Sequence, residues 1–306
     1  MTSSSQKNIY IGMGLAVLAT LIWSGNFIAA RGVIKQIQPG QLAFYRWLVA
    51  LIIIFPFAIK KFVSEWKLVK QSWQYILWVS LTGVALFNTF VYIGAHYTTA
   101  INLALIGTTT SPIFAIILAR IFLKEKISVL KMAGMFLCIA GVVILLSGMN
   151  VNSSFSFTAG DAWILAAAFS FAVYNTLVRK KPAGISTVNF LFVIFTAGTL
   201  LLFPFYLWEV FYSHPEPVQW TRSLLLIILF LGLGASVICF LCWNIAIGKL
   251  GAGRTALFGN LIPVFSSIEA SIILGEKFTR IHLVSMLLVS AGIVLANWRR
   301  QNKEHG

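Results

Sequence analysis

The chain has 306 residues, 59% of them hydrophobic and 10% charged, with 23 basic side chains against 8 acidic ones and a formal net charge of +15. Soluble domains run near about 45–50% apolar and about 25% charged, so a water-soluble fold is excluded. The basic residues cluster at the ends of apolar segments and form no surface stripe, which argues against a nucleic-acid partner and makes the charge a signal of membrane topology.

In chain order, breaks at charge clusters, prolines and glycines divide the sequence into ten spans: 10–32, 41–59, 73–95, 99–122, 129–148, 160–178, 187–208, 222–247, 253–274 and 281–298. Each is long enough to cross a hydrocarbon core of about 30 Å as helix. None shows the alternation of a lipid-facing strand, which excludes a membrane β-barrel. The first span follows Lys7 and superficially resembles a signal peptide. It runs on past Trp23 without a small-residue cleavage site, so it is expected to stay as a transmembrane helix. Cys138, Cys239 and Cys242 lie inside apolar runs with no metal-ligand or disulfide spacing, and read as small core residues. Connections are short except 149–160 and 210–221, which leaves no soluble domain.

Basic residues set the orientation. With a cytoplasmic N-terminus, 17 of the 23 lysines and arginines fall on the inner side, and only Arg31, Lys35, Arg46, Arg222, Lys277 and Arg280 on the outer side. Both termini are predicted to be cytoplasmic.

One stretch occurs twice. Windows 111–127 and 262–278, offset by 151, agree at eight of 17 positions, including Pro112 with Pro263, Phe114 with Phe265, Glu125 with Glu276 and Lys126 with Lys277. The same offset pairs Gly83 with Gly234, Ala95 with Ala246 and Gly141 with Gly292. Two copies of one unit follow, 1–150 and 151–306. Five spans per unit is an odd number, so the second copy crosses the membrane in the opposite sense. The predicted fold is an all-α polytopic membrane protein, ten transmembrane helices arranged as two inverted five-helix repeats around a central cavity. That symmetry is a hallmark of secondary transporters.

Ile22-Trp23-Ser24-Gly25-Asn26-Phe27, Gln38-Pro39 before Phe44-Tyr45-Arg46, and both copies of the Pro-x-Phe…Glu-Lys…Ala-Gly-Val/Ile pattern resemble the EamA-type members of the drug/metabolite transporter superfamily. The resemblance covers nearly the whole chain. It implies a multi-pass protein of the bacterial inner membrane with two five-helix halves around a central cavity, commonly exporting amino acids, metabolites or drugs. The second unit departs from the first at its start, where Phe169-Ser170-Phe171-Ala172 replaces Trp23-Ser24-Gly25-Asn26.

Candidate pathway residues follow from polar groups at membrane depth, which should face protein or a water-filled cavity. Asn88, Tyr92 and His96 lie at i, i+4 and i+8 on one helical face, with interhelical hydrogen bonding as the plainer role. Cys239, Trp243 and Ile247 are their register partners, and Asn244 adjoins the tryptophan. Trp23 and Asn26 share a face near the middle of the first span, and Tyr174 and Asn175 occupy the corresponding region of the sixth. Asn260 in the ninth span completes the set. Arg46, a few residues into the second span, could hold a substrate carboxylate or snorkel to headgroups. Glu269 is the acidic residue deepest within a span, about 10 Å from Glu276 along a helix. Its register partner is Leu118, and a carboxyl group there suits coupling to a proton. Pro112 and Pro263, mid-helix at matching positions, allow a flexible gate or a static bend alike.

These features point to a secondary-active exporter of a small metabolite or amino acid working by alternating access, with proton coupling through Glu269 and a small-molecule substrate and the lipid bilayer as partners. An uptake permease of the same architecture is the nearest alternative. An intramembrane enzyme would need a metal-binding His-Glu-x-x-His, paired carboxylates or a Ser–His arrangement, and the scattered His96, His214, His282 and His305 supply none. A receptor would have no use for inverted repeats. No nucleotide-binding motif suggests ATP drive, no cofactor is implied, and a monomer is expected, although small-residue faces such as Gly134 and Gly141 could serve dimerisation.

Overall fold

The computed structural model describes residues 3–122, 129–148, 158–178, 180–213, 217–250, 258–259 and 261–297. Among them the apolar runs form ten helical rods and no strand, as a chain in hydrocarbon must satisfy its backbone polar groups internally. They are α1 (Ser3–Gly32), α2 (Pro39–Gln71), α3 (Trp73–Ala95), α4 (Ala100–Phe122), α5 (Val129–Gly148), α6 (Ala159–Val178) and α7 (Thr187–Phe211). The last three are α8 (Arg222–Leu229 continuing as Phe230–Ile238 and Cys239–Leu250), α9 (Leu261–Leu274) and α10 (Arg280–Asn297). Six of the rods are long and apolar enough to span a bilayer, and shorter apolar helices accompany them.

Two features depart from the pattern expected of the sequence. The second helix does not end near residue 59 but continues through Lys60, Lys61, Lys67 and Lys70 to Gln71. At 1.5 Å per residue its 33 residues reach about 50 Å, so the charged turns project into water, where Lys and Glu are good helix formers. Three rods also widen into π-helix, at Leu81–Leu86 in α3, Phe230–Ile238 in α8 and Ala270–Leu274 in α9. The segments in α3 and α8 coincide under the offset of 151, and each wide turn frees carbonyls from the ordinary ladder. Those carbonyls are used by the opposite repeat: Ser170 Oγ of α6 donates to the Thr82 carbonyl at 2.8 Å, and Trp23 Nε1 of α1 to the Ala235 carbonyl at 3.0 Å.

Two pairs of equivalent helices, α5 with α10 and α2 with α7, run antiparallel against one another. In the α5–α10 pair, a Cβ on Gly141 would lie 3.0 Å from the Ser285 carbonyl oxygen and one on Gly292 would lie 2.6 Å from that of Gly134. Gly134 and Ser285, and Gly141 and Gly292, are register partners, so the contact is reciprocal. Cys138 Sγ sits 3.6 Å from the carbonyl oxygen of Val289, its own register partner, close to the pseudo-twofold axis. The glycine face of α5 is thus filled by α10 of the same chain. All three cysteines are free and buried.

The α2–α7 pair repeats the theme with charge. Near the C-terminal end of α7, the Glu209 carboxylate accepts the Gly40 and Gln41 N–H groups at the start of α2, both at 2.9 Å. Near the far end of α2, Glu65 Oε2 accepts Ser186 N–H, Ser186 Oγ and Asn189 Nδ2 at the start of α7. A third carboxylate, Glu276, accepts Ala100 and Ile101 N–H at the start of α4, at 2.9 and 3.2 Å. Gly275, at φ +67°, makes the left-handed turn that ends α9 just before it. Each acid satisfies the orphan donors of a helix from the other repeat, where the helix dipole also favours a negative charge.

Candidate functional site

Arg46 lies on the third turn of α2, about 10 Å along the helix from its start, and is 3% exposed. A guanidinium that deep cannot snorkel, so it must be satisfied by protein. Nη1 shares its two hydrogens among three acceptors, Asn26 Oδ1 of α1 at 2.7 Å and Asn88 Oδ1 and Tyr92 Oη of α3 at 2.6 and 2.7 Å. Nε donates to Ser236 Oγ in the π-helical part of α8 at 3.1 Å, and Tyr92 Oη donates to Asn26 Oδ1 at 3.3 Å. The Trp47 ring covers the guanidinium, its centroid 4.9 Å away. Four helices, three from the first repeat and one from the second, converge on this charge.

None of the five described acidic residues neutralises it. Glu65, Glu209 and Glu276 cap helices, Asp161 caps its own helix through Thr158, and Glu269 binds elsewhere. The repeat is unsymmetrical here: the offset of 148 that aligns Pro56 with Pro204, the internal prolines of α2 and α7, places Arg46 on Ile194, which is buried.

Glu269 stands at the last α-helical turn of α9, just before its π-helical end. Its Oε1 accepts from Ser24 Oγ of α1 at 2.8 Å, while Oε2 is buried without a donor among the described residues. Gly25 lets the carboxylate and the Phe230 ring approach: a Cβ there would lie 3.9 Å from Oε2 and 2.8 Å from the ring. Ser24 therefore holds Glu269 and Asn26 holds Arg46, one residue to either side of Gly25.

The remaining candidates separate. Trp23 packs on Trp243 and Phe240, with ring centroids 5.1 and 5.8 Å away, building an aromatic wall beside the Arg46 cluster. Tyr174 is buried against Gly83 in the π-helical part of α3 and stacks on Phe171. Asn175 is half-buried beside it. His96 caps the end of α3, away from Arg46, close to Arg31, whose Nη1 donates to the Ala95 carbonyl at 2.7 Å. Asn244 is exposed, its amide bonded to the Phe240 carbonyl of its own helix. Asn260 lies outside the described residues. Asn88 and Tyr92 thus meet on one charge, while His96, one further turn on, does not reach it.

Ser24, Gly25 and Ser236 stand outside the candidate residues that polarity at membrane depth picks out. Ser24 and Gly25 belong to the Trp-Ser-Gly-Asn motif, a signal that was present. Ser236 has no such flag, since its importance comes from the π-helical turn that carries it.

Comparison with known proteins agrees with this architecture. The EamA-like transporter family matches residues 10–147 and 158–298. An uncharacterized transporter of Archaeoglobus fulgidus is 30% identical over 287 residues, covering 92% of this chain and 95% of the other. A probable amino-acid metabolite efflux pump of Salmonella typhimurium is 25% identical over 295 residues, covering 92% and 93%. A crystal structure superposes with a TM-score of 0.65 at 20% identity, over 95% of this chain and 96% of the other, a likeness of fold. With both repeats matched and relatives aligned nearly end to end, the chain is a member of the EamA-like transporter family.

Proposed function

We propose that this protein is a secondary-active exporter of a small metabolite or amino acid, working by alternating access through the interior where α1, α2, α3 and α8 meet. The observation that carries the reading is the Arg46 cluster: a buried charge at the junction of the two repeats, held by neutral groups. Buried polar groups of this kind inside a membrane bundle mark substrate or ion pathways. Trp23 and Trp243 supply an apolar wall to the same region. Export is the direction suggested by the relatives called efflux pumps.

Glu269 is the proposed coupling group. It is the described acid within a span that caps no helix, and its Oε2 is buried without a donor among the described residues, which favours a protonated carboxyl there. The basic-residue count supports cytoplasmic termini in an inner membrane. A single chain contains both repeats, and α10 covers the glycine face of α5, which supports a monomer. Membrane transport without chemistry is the whole of the proposed activity.

The test is flux into everted vesicles carrying the protein, compared with vesicles lacking it. Accumulation that follows an imposed proton gradient supports coupled export. Accumulation that survives collapse of both the proton gradient and the membrane potential would sink the coupled version.

A further inference from the structure

We infer that the Arg46 cluster is an anion receptor, so that the transported compound carries a free anionic group, most simply a carboxylate. This rests on the transporter reading above and names the substrate class of that same site.

The neighbours of Arg46 all face it with their acceptors. Arginine only donates hydrogen bonds, so the atoms of Asn26 and Asn88 that meet Nη1 must be their carbonyl oxygens; the amide orientation is set by chemistry. Tyr92 Oη also accepts from Nη1 and spends its own hydrogen on Asn26 Oδ1. Ser236 Oγ accepts from Nε and spends its hydrogen on the Leu231 carbonyl. Every side-chain acceptor in the cluster is turned inward to the guanidinium.

What remains on the outside is donors. Nη2, with two hydrogens, meets no acceptor among the described residues. The Asn26 amide nitrogen meets none, and that of Asn88 makes one long contact, 3.5 Å to the Val84 carbonyl. A full positive charge, edged by two amide NH₂ groups on residues only 2–5% exposed, is complementary to an anion and hostile to a cation or to a group that can only donate. A carboxylate could take Nη2 and an asparagine amide together, through charge-assisted bonds stronger than neutral ones.

A purely structural arginine tying four helices together would also collect these acceptors. It would not distinguish an acid from its amide. The experiment therefore uses chemical pairs: small monocarboxylates and amino acids, each beside its own carboxamide, titrated against the purified full-length protein with thermal stability as the readout, since a ligand of the native state raises apparent stability. The expected result is that one or more acids stabilise the protein and that each matching amide binds about ten- to a hundredfold more weakly, the size expected for losing a bond between charged groups. In Arg46→Gln the difference between acid and amide should vanish. If that variant fails to fold, the comparison on the native protein still decides. Equal stabilisation by acid and amide, or stabilisation by no acid in the panel, overturns the inference. Flux of the same compounds in proteoliposomes separates the two proposals. Transport of neutral or cationic compounds with no acid requirement removes the anion receptor and leaves the transporter; acid binding with no flux in either direction does the reverse.

Discussion

Removal of the Glu209 carboxylate tests whether the repeats are held together by crossed helix capping. Its two bonds to Gly40 and Gln41 N–H are both 2.9 Å, and the residue is only 5% exposed. Hydrogen bonds to a charged acceptor contribute about 1.5–3 kcal/mol each. The buried carboxylate's own desolvation offsets part of that sum, and water at the helix end recovers another part. Glu209→Ala should therefore cost about 2–3 kcal/mol, and Glu209→Gln, which keeps one acceptor, about half as much. Gly40 provides an internal control. A Cβ there would meet Phe205 ring atoms at 2.6 Å and Glu209 Oε2 at 2.8 Å, so Gly40→Ala should itself dislodge the carboxylate. The double variant should then cost less than the sum of the two, by about 1 kcal/mol or more. Unfolding by sodium dodecyl sulfate in mixed micelles, followed by circular dichroism, measures the parent and the four variants. A Glu209→Ala protein within about 0.5 kcal/mol of the parent, the range of an inconsequential surface change, would refute the reasoning.

Other variants address separate parts of the structure. Gly292→Ala places a methyl against the Gly134 carbonyl, Cys138 Sγ and the Cys138 backbone nitrogen, at 2.6, 2.8 and 2.9 Å, and should destabilise by about 1–3 kcal/mol. Gly14→Ala, with nothing within 4 Å of the new methyl, should not, and the same unfolding assay compares them. Glu269→Gln should abolish the dependence of flux on a proton gradient while leaving exchange of substrate across the membrane; a variant with unchanged rate and pH dependence would remove Glu269 from the mechanism. His96 is held below its ordinary pKa, near about 6.5, by partial burial and then by the neighbouring Arg31 charge. The folded state therefore binds its proton less readily than the unfolded one. Its stability contribution is full above that ordinary value and is lost as the pH falls through the lower folded one. Melting temperatures at about pH 7.5 and about pH 5.5 should differ more for the parent than for His96→Gln.

Much of the architecture was legible in the sequence because hydrophobic runs and their breakers record helices directly. The observed bounds of α3, α4, α5, α6 and α10 lie within a residue or so of those expected. The end of α2 was misplaced because lysines were read as loop, although a helix leaving the membrane can carry them. The π-helical segments were invisible, since they are a change of hydrogen-bond register and Leu81–Leu86 has no composition that demands one. For Arg46, position alone favoured snorkelling to headgroups or bonding to loop carbonyls over a substrate contact. Geometry decided, because the acceptors come from Asn26, Asn88, Tyr92 and Ser236 on three other helices. The crossed caps were likewise hidden: Glu65, Glu209 and Glu276 looked like ordinary residues of span ends, and their partners stand 121 to 176 positions away.

Those crossed caps also impose an order of construction. A chain made from its N-terminus presents the first turn of α2 before Glu209 exists, and the first turn of α4 before Glu276 exists, gaps of 169 and 176 residues. Until the second repeat is inserted, both helix starts must borrow water at the membrane surface. The start of α7 meets no such delay, because Glu65 is already waiting for it. The two repeats are equivalent in space but unequal in time: the first is laid down incomplete and carries the finishing piece for the second, which on arrival completes them both.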